Sequence, residues 1–250
     1  VSDDIRASVC MATYRGAEFV AEQIESIVAQ LGPDDELVIV DDCSPDDTAA
    51  VVVETVARLG ESRVTLTKTD TNLGYVRAFE AAIRRSRGRY VFLSDQDDVW
   101  PPGRHEAMIA GLSDSLVVAG NHSILGRSGA RLWYPPLKAA TSRRHVLNLF
   151  AIMIGYRPYF GCAMGFRREI VQGGILPMPT YLTESHDVWI AITGNVRRSI
   201  RHLDRDVVER RLHAANQTPL GIRGLRTIIE ARARFARLIA EAARRARASR

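Results

Sequence analysis

The apolar positions of the first hundred residues change period in a regular alternation. Residues 7–12 form a short apolar run, and within 18–30 Phe19, Val20, Ile24, Ile27 and Val28 fall on one face of a helical repeat. A second apolar run, 37–40, closes on Asp41 and Asp42, and Ser44-Pro45-Asp46-Asp47 then reads as a helix start leading into 48–59. Residues 63–67 alternate as a strand, 75–85 carry a helical pattern, and 90–93 read as a buried strand that ends at Ser94-Asp95. Strand, helix, strand at this spacing predicts an α/β fold, a mostly parallel sheet covered by helices on both faces. Ligands of such sheets bind beyond the carboxyl ends of the strands, so the polar residues there are the candidates for chemistry.

Past Trp100 the rhythm loosens. The pattern predicts a helix over 104–112, a strand over 116–119, an irregular hairpin over 120–132 and a helix over 143–154. A strand over 159–166, a short helix over 187–193 and a last strand over 206–212 follow. Beyond Gly221-Ile222-Arg223-Gly224, Leu225, Ile228, Ile229, Phe235, Leu238, Ile239 and Ala242 recur at three- and four-residue steps. That is an amphipathic helix whose other face is arginine. The expected organisation is therefore a catalytic domain over 1–219, with a nucleotide-binding half 1–98 and an acceptor-side half 99–219, followed by a basic amphipathic helix over 220–250.

Charge sharpens this division. The 250 residues carry a net +5, yet from Leu220 to Arg250 nine arginines face two glutamates. The arm holds +7 and the body −2, which argues against nucleic acid as the partner of the folded surface. Three cysteines, Cys10, Cys43 and Cys162, lack metal-site spacing and read as reduced thiols. The longest apolar runs reach about half the roughly 18 residues of a membrane span. With Asp3 and Asp4 near the N-terminus, unlike a signal peptide, a cytoplasmic protein is expected. The arm has three possible fates: lying on an anionic membrane surface, packing on the domain or on a second copy, or binding nucleic acid by charge.

Three strand ends carry the candidate chemistry. In Ser94-Asp95-Gln96-Asp97-Asp98 two carboxylates separated by one residue can converge on a hard cation, Mg²⁺ or Mn²⁺, which in turn holds a diphosphate; the run equally suits a helix cap. In Asp41-Asp42-Cys43-Ser44 a carboxylate can accept from a nucleobase imide, or cap a helix. In Asn72-Leu73-Gly74-Tyr75-Val76-Arg77 the glycine permits a tight turn into a helix whose N-terminus and Arg77 favour phosphate. No G-x-G-x-x-G or G-x-x-x-x-G-K-[ST] follows the first strand, which disfavours dehydrogenases and P-loop enzymes.

Taken together, Ser8-Val9-Cys10-Met11-Ala12-Thr13-Tyr14, Asp41-Asp42-Cys43-Ser44, Asn72-Leu73-Gly74 and Ser94-Asp95-Gln96-Asp97-Asp98-Val99-Trp100 resemble the family 2 glycosyltransferases of the GT-A fold, over roughly residues 5 to 218. The resemblance implies that Ala12, Thr13, Tyr14, Asp42, Asn72, Gly74, Arg77, Asp95 and Gln96 hold the donor nucleotide. It makes Asp97 the ligand of a Mg²⁺ or Mn²⁺ ion, with His213, in Arg211-Leu212-His213, a further ligand or diphosphate contact.

Thr183-Glu184-Ser185-His186-Asp187-Val188-Trp189 looks like the His-Asp-x-Trp segment of rhamnosyltransferase-like members, which makes Asp187 the general base, kept ionised at a helix N-terminus. Phe160-Gly161-Cys162-Ala163 resembles the floor of the acceptor pocket. Trp100, Gly161, Cys162, His186, Trp189 and Arg211 are thus expected around the sugars, with Trp133 a further aromatic that could stack. The implied activity is inverting transfer of one sugar, favouring dTDP-L-rhamnose, to a glycan or lipid-linked acceptor. A UDP-sugar is the second reading; a nucleotidyltransferase and a non-catalytic binding domain are the rivals. The Gln-x-x-Arg-Trp signature of processive synthases is not present.

Overall fold

The computed structural model describes residues 5–127, 134–157, 159–213 and 225–248. The first half is as the periodicity predicts: β1 (Ala7–Thr13), α1 (Val20–Val28), β2 (Asp35–Asp41), α2 (Thr48–Leu59), β3 (Val64–Lys68), α3 (Tyr75–Arg85) and β4 (Tyr90–Ser94) alternate. They are followed by α4 (Arg104–Gly111), β5 (Val117–Ile124), α5 (His145–Met153), β6 (Met164–Arg167), α6 (His186–Val196), β7 (Ile200–Arg210) and α7 (Leu225–Ala248). All seven strands share one sheet in the order β3-β2-β1-β4-β6-β5-β7. Only β6 runs antiparallel to its neighbours. The carboxyl ends of β1, β2 and β4 therefore lie side by side, at the point where the chain switches from one side of β1 to the other.

Apolar layers cover both faces of the sheet. One joins Val38, Val40 and Leu93 to Phe79 and Ile83 of α3 and to Trp189 and Ile192 of α6. The other joins Val9, Met11 and Ile39 to Ile24 and Ile27 of α1 and Met108 of α4. The covered faces explain why β1 and β2 carry continuous apolar runs, 9–12 and 37–40, and do not alternate.

Three sequence expectations are corrected in the second half. Residues 120–124 continue β5 instead of opening a hairpin, because β7 pairs alongside them with register shifts at Asn121 and His122; residues 128–133, with Trp133, lie outside the described residues. The strand expected over 159–166 is reduced to β6, since Gly161–Ala163 winds into a single 3₁₀ turn first. β7 starts at Ile200, six residues before the expected start, where Ile200 and His202 are buried and Arg201 is exposed.

α7 resolves part of the question of the arm. Phe235, Leu238 and Ala242 are buried in the same core as Trp189, so this part of the apolar stripe packs on the domain itself. Three of its arginines are engaged too. Arg237 lies 3.8 Å over the Tyr181 ring, Arg234 pairs with Glu184, and Arg245 donates to the Pro177 carbonyl at 2.9 Å. The helix thus clamps the segment that leads into α6.

Candidate functional site

The loop after β1 is held open by reciprocal hydrogen bonds. The Tyr14 amide donates to Gln96 Oε1 at 2.8 Å, and Gln96 Nε2 donates to the Tyr14 carbonyl at 2.9 Å. A methyl group at Gly16 would meet Gln96 Oε1 at 2.2 Å, so glycine is required for this approach. Thr13 is buried and donates to Asp41 Oδ1 at 3.0 Å, while Ala12 is half-buried and Tyr14 is exposed. Of the three, Tyr14 is the most exposed, with the Arg15 guanidinium 5.3 Å from its ring centroid.

Asp42 gathers the loop after β3. Its two carboxylate oxygens accept from the Leu73 amide at 2.7 Å and the Gly74 amide at 2.8 Å, and Asn72 Nδ2 donates to its carbonyl at 3.1 Å. Gly74 has φ +80° with nothing near its absent Cβ, so backbone conformation, not space, asks for glycine there. Asp42, Asn72 and Gly74 are thus brought together. Arg77 is a correction: its guanidinium donates to the Met178 carbonyl at 3.1 Å and the Pro179 carbonyl at 2.7 Å and pairs with Glu80, tying α3 to the loop before α6 instead of presenting a free cation to phosphate.

The acidic run after β4 meets the end of β7. A two-way backbone bridge between Val99 and Glu209, at 3.0 and 2.9 Å, lays residues 209–213 beside 97–99. Arg211 then donates its amide to Asp98 Oδ1 and its Nε to the Asp97 carbonyl, both at 3.2 Å, and pairs with Glu22. His213 Nε2 comes to 2.8 Å from Asp97 Oδ2, with the imidazole stacked on Phe19 at 4.7 Å. Arg211 therefore positions the acidic loop, and the separation of 116 residues between Asp97 and His213 is closed.

Deeper in, ligand atoms of Asp95, Asp98 and Cys162 lie within 4.8 Å of one another. Burial, together with the neighbouring carboxylates, raises both Asp95 and Asp98 above the ordinary carboxylate range, moderated by Arg210. The Cys162 thiol is pushed well above its usual value by burial, so it stays a neutral thiol and a poor partner for a hard cation. The expected ligands of Mg²⁺ or Mn²⁺, Asp97 and His213, supply an oxygen and an imidazole donor that meet at 2.8 Å, while Asp95 groups with Asp98 and Cys162 instead. Oδ2 of the buried Asp98 finds no hydrogen-bond partner among the described residues, with Asp95 and Cys162 in the same cluster.

Asp187 stands in the first turn of α6, behind Ser185 in the left-handed region at φ +65°. A methyl at Gly161 would meet His186 Nε2 at 2.7 Å and lie 3.7 Å from Asp187 Cβ, so the 3₁₀ turn backs the candidate base directly. The helix N-terminus does not keep this carboxyl fully ionised as expected: desolvation, reinforced by the charge of Asp95, pushes it up to about 7. His186 is buried against Phe79 at 4.4 Å, and burial pushes it down to about 4, so it is a neutral packing ring.

The two tryptophans are corrected as well. Trp189 is fully buried and donates to the Ile175 carbonyl at 2.9 Å. Trp100 is covered by the Arg104 guanidinium, 3.7 Å from its ring centroid, and by His105. Neither leaves a face for a sugar.

Sequence reasoning missed Arg210. It is buried 4.7 Å over the Phe160 ring, Nε and Nη1 find no partner among the described residues, and its charge acts on Asp95, Asp98 and Asp187 alike. Its only sequence signal is its place at the end of a strand. Away from this cluster, an apolar hollow of about 490 Å³ lies between α2 and β3, lined by Val52, Val53, Val56 and Leu66. Its one carboxylate, Glu61, is paired with Arg63, so it lacks convergent polar chemistry.

The chain is 36% identical over 124 residues to the succinoglycan biosynthesis protein ExoO of Rhizobium meliloti, covering 49% of this chain and 34% of that one. The chain spans between about a third and two thirds of the length of the curated relatives it matches first. Among solved structures, Staphylococcus aureus TarS 1–349 in complex with UDP-GlcNAc superposes with a TM-score of 0.67 at 19% identity, covering 96% of this chain and 72% of that one. The mannosyltransferase PcManGT of Pyrobaculum calidifontis, in complex with GDP-Man and Mn²⁺, gives 0.61 at 18%, covering 99% and 76%. At these identities the likeness concerns the fold, which is GT-A-like. Residues 8–174 match the family described as Glycosyl transferase family 2, and the chain belongs to that family.

Proposed function

We propose that the chain, through a catalytic domain over residues 1–219, transfers one sugar from a nucleoside diphosphate sugar to an acceptor hydroxyl with inversion. The observation that carries this reading is the convergence of Asp187, at the start of α6, on the acidic end of β4. Asp187 takes the proton of the acceptor hydroxyl as its oxygen attacks the anomeric carbon, and the bond to the diphosphate breaks on the opposite face through an oxocarbenium-like transition state. Gly161 and the clamped loop before α6 fix the carboxylate, and Arg210 supplies a buried positive charge beside the reacting centre. Asp97 and His213 would hold a Mg²⁺ or Mn²⁺ ion, whose chemistry is to offset charge on the departing diphosphate.

The His186-Asp187-Val188-Trp189 segment favours dTDP-L-rhamnose as donor. The complex of TarS with UDP-GlcNAc favours a UDP-sugar as the second reading. ExoO, by name a succinoglycan biosynthesis protein, points to a polysaccharide as the destination. Calorimetric titration of dTDP, UDP and GDP, each with and without Mn²⁺, separates these readings. Metal-dependent binding of dTDP is expected, weakened at least about tenfold in Asp97→Ala, since one charge-assisted ligand is worth more than 1.4 kcal/mol. Preference for UDP would replace rhamnose while keeping transfer. Absence of binding by all three would remove the enzyme reading.

A further inference from the structure

α5 buries Asn148, Ala151 and Ile152 on its inner side, yet its outer side is equally apolar. Val146 is 75% exposed, Leu147 60%, Phe150 61% and Ile154 54%. At 100° per residue these four fall within a sector of about 100°, a continuous stripe facing away from the core. Scattered exposed apolar residues need no explanation; a stripe on one helix does.

The sequence on either side of this stripe carries charge of one sign. Between Asp114 and Glu169 the sequence contains no acidic residue, while Arg143 and Arg144 stand exposed at the start of α5. At its other end Arg232 of α7 reaches over Gly155, where a Cβ would meet its Nη2 at 2.6 Å.

We propose that the outer face of α5 docks on an anionic lipid bilayer. An apolar stripe flanked by arginines is the pattern of a helix lying in the headgroup plane, with apolar side chains below it and guanidinium groups at phosphate level. A second copy of the chain fits less well, because a two-fold contact would set these arginines against their own images. Among the described residues no helix is long and apolar enough to cross a membrane, so the contact is peripheral. It also orients the protein: the inner side of α5 is fastened to α6 through Asn148 Nδ2, 3.0 Å from Asn195 Oδ1, and Asp187 opens that same helix. The docking itself does not depend on the transfer reading.

Flotation with vesicles of phosphatidylglycerol and phosphatidylcholine, against phosphatidylcholine alone, tests the surface. The chain is expected to float with the anionic vesicles only and to be released by high salt. Leu147→Asp with Phe150→Asp is expected to abolish flotation, and Arg143→Gln and Arg144→Gln to weaken it about fivefold each. These side chains are exposed, so thermal melting of the variants checks that the fold is intact. Failure of the chain to float, or equal flotation of the variants, would overturn the proposal. So would a dimer in light scattering that Phe150→Asp dissolves.

Discussion

Asp187→Asn is expected to lower kcat about a thousandfold while leaving nucleotide affinity within a factor of two or three, because the change removes a proton acceptor and keeps the shape of the side chain. The pH profile gives an independent readout. Desolvation beside Asp95 sets the Asp187 carboxyl at about 7 instead of its usual acidic value, and only the ionised form can take the acceptor proton. In the wild type log kcat/KM therefore rises by one per pH unit up to about pH 7 and then levels, and in the variant this limb disappears. An elevated carboxyl is also a better base for an alcohol than one at its ordinary value, a use for the burial supplied by the Gly161 turn. Steady-state rates with calorimetry in parallel would decide: a variant within tenfold of wild type, or one that loses nucleotide binding together with rate, removes Asp187 from the role of base.

The fold and the site were legible to different depths. Hydrophobic period alone placed every element of the first half, because β1, β2 and β4 are buried on both faces and the helices between them carry one-sided stripes. It also marked the polar strand ends where Asp42 and Asp95 stand. Side-chain roles were less visible, since they depend on partners far away in sequence. Gln96 and Arg77 are polar residues at expected places whose hydrogen bonds turn out to hold loops. Trp100 and Trp189 look like sugar platforms in a sequence, and only their packing under Arg104 and beside Ile175 shows otherwise. The meeting of Asp97 with His213 rests on the bridge between Val99 and Glu209, a pairing that no periodicity announces.

The largest effect on stability is expected at Asp35, at the start of β2 and far from the candidate base. Its carboxylate is fully buried and accepts from Arg6 at 3.0 and 2.7 Å and from the Gly32 amide at 2.6 Å, with His105 Nε2 at 2.9 Å. Asp35→Ala leaves His105 buried and the Gly32 amide without their acceptor, at a cost of about 1–3 kcal/mol each. Arg6 is partly exposed and recovers water, so its pairing adds little. The sum is a loss of about 3–4 kcal/mol, read as a shift of the urea midpoint at unchanged slope. The pH dependence has a definite sign. Burial alone would raise this carboxyl, but the bonds from His105, Arg6 and Gly32 outweigh it and hold it well below the usual range. A depressed carboxyl stabilises fully above the unfolded value near 4 and loses that contribution as pH falls below it. Wild type should therefore lose stability between about pH 4 and pH 2 more steeply than Asp35→Ala, so the two denaturation curves converge in acid. Parallel curves across that window would mean that the four contacts at Asp35 do not carry the energy their geometry implies.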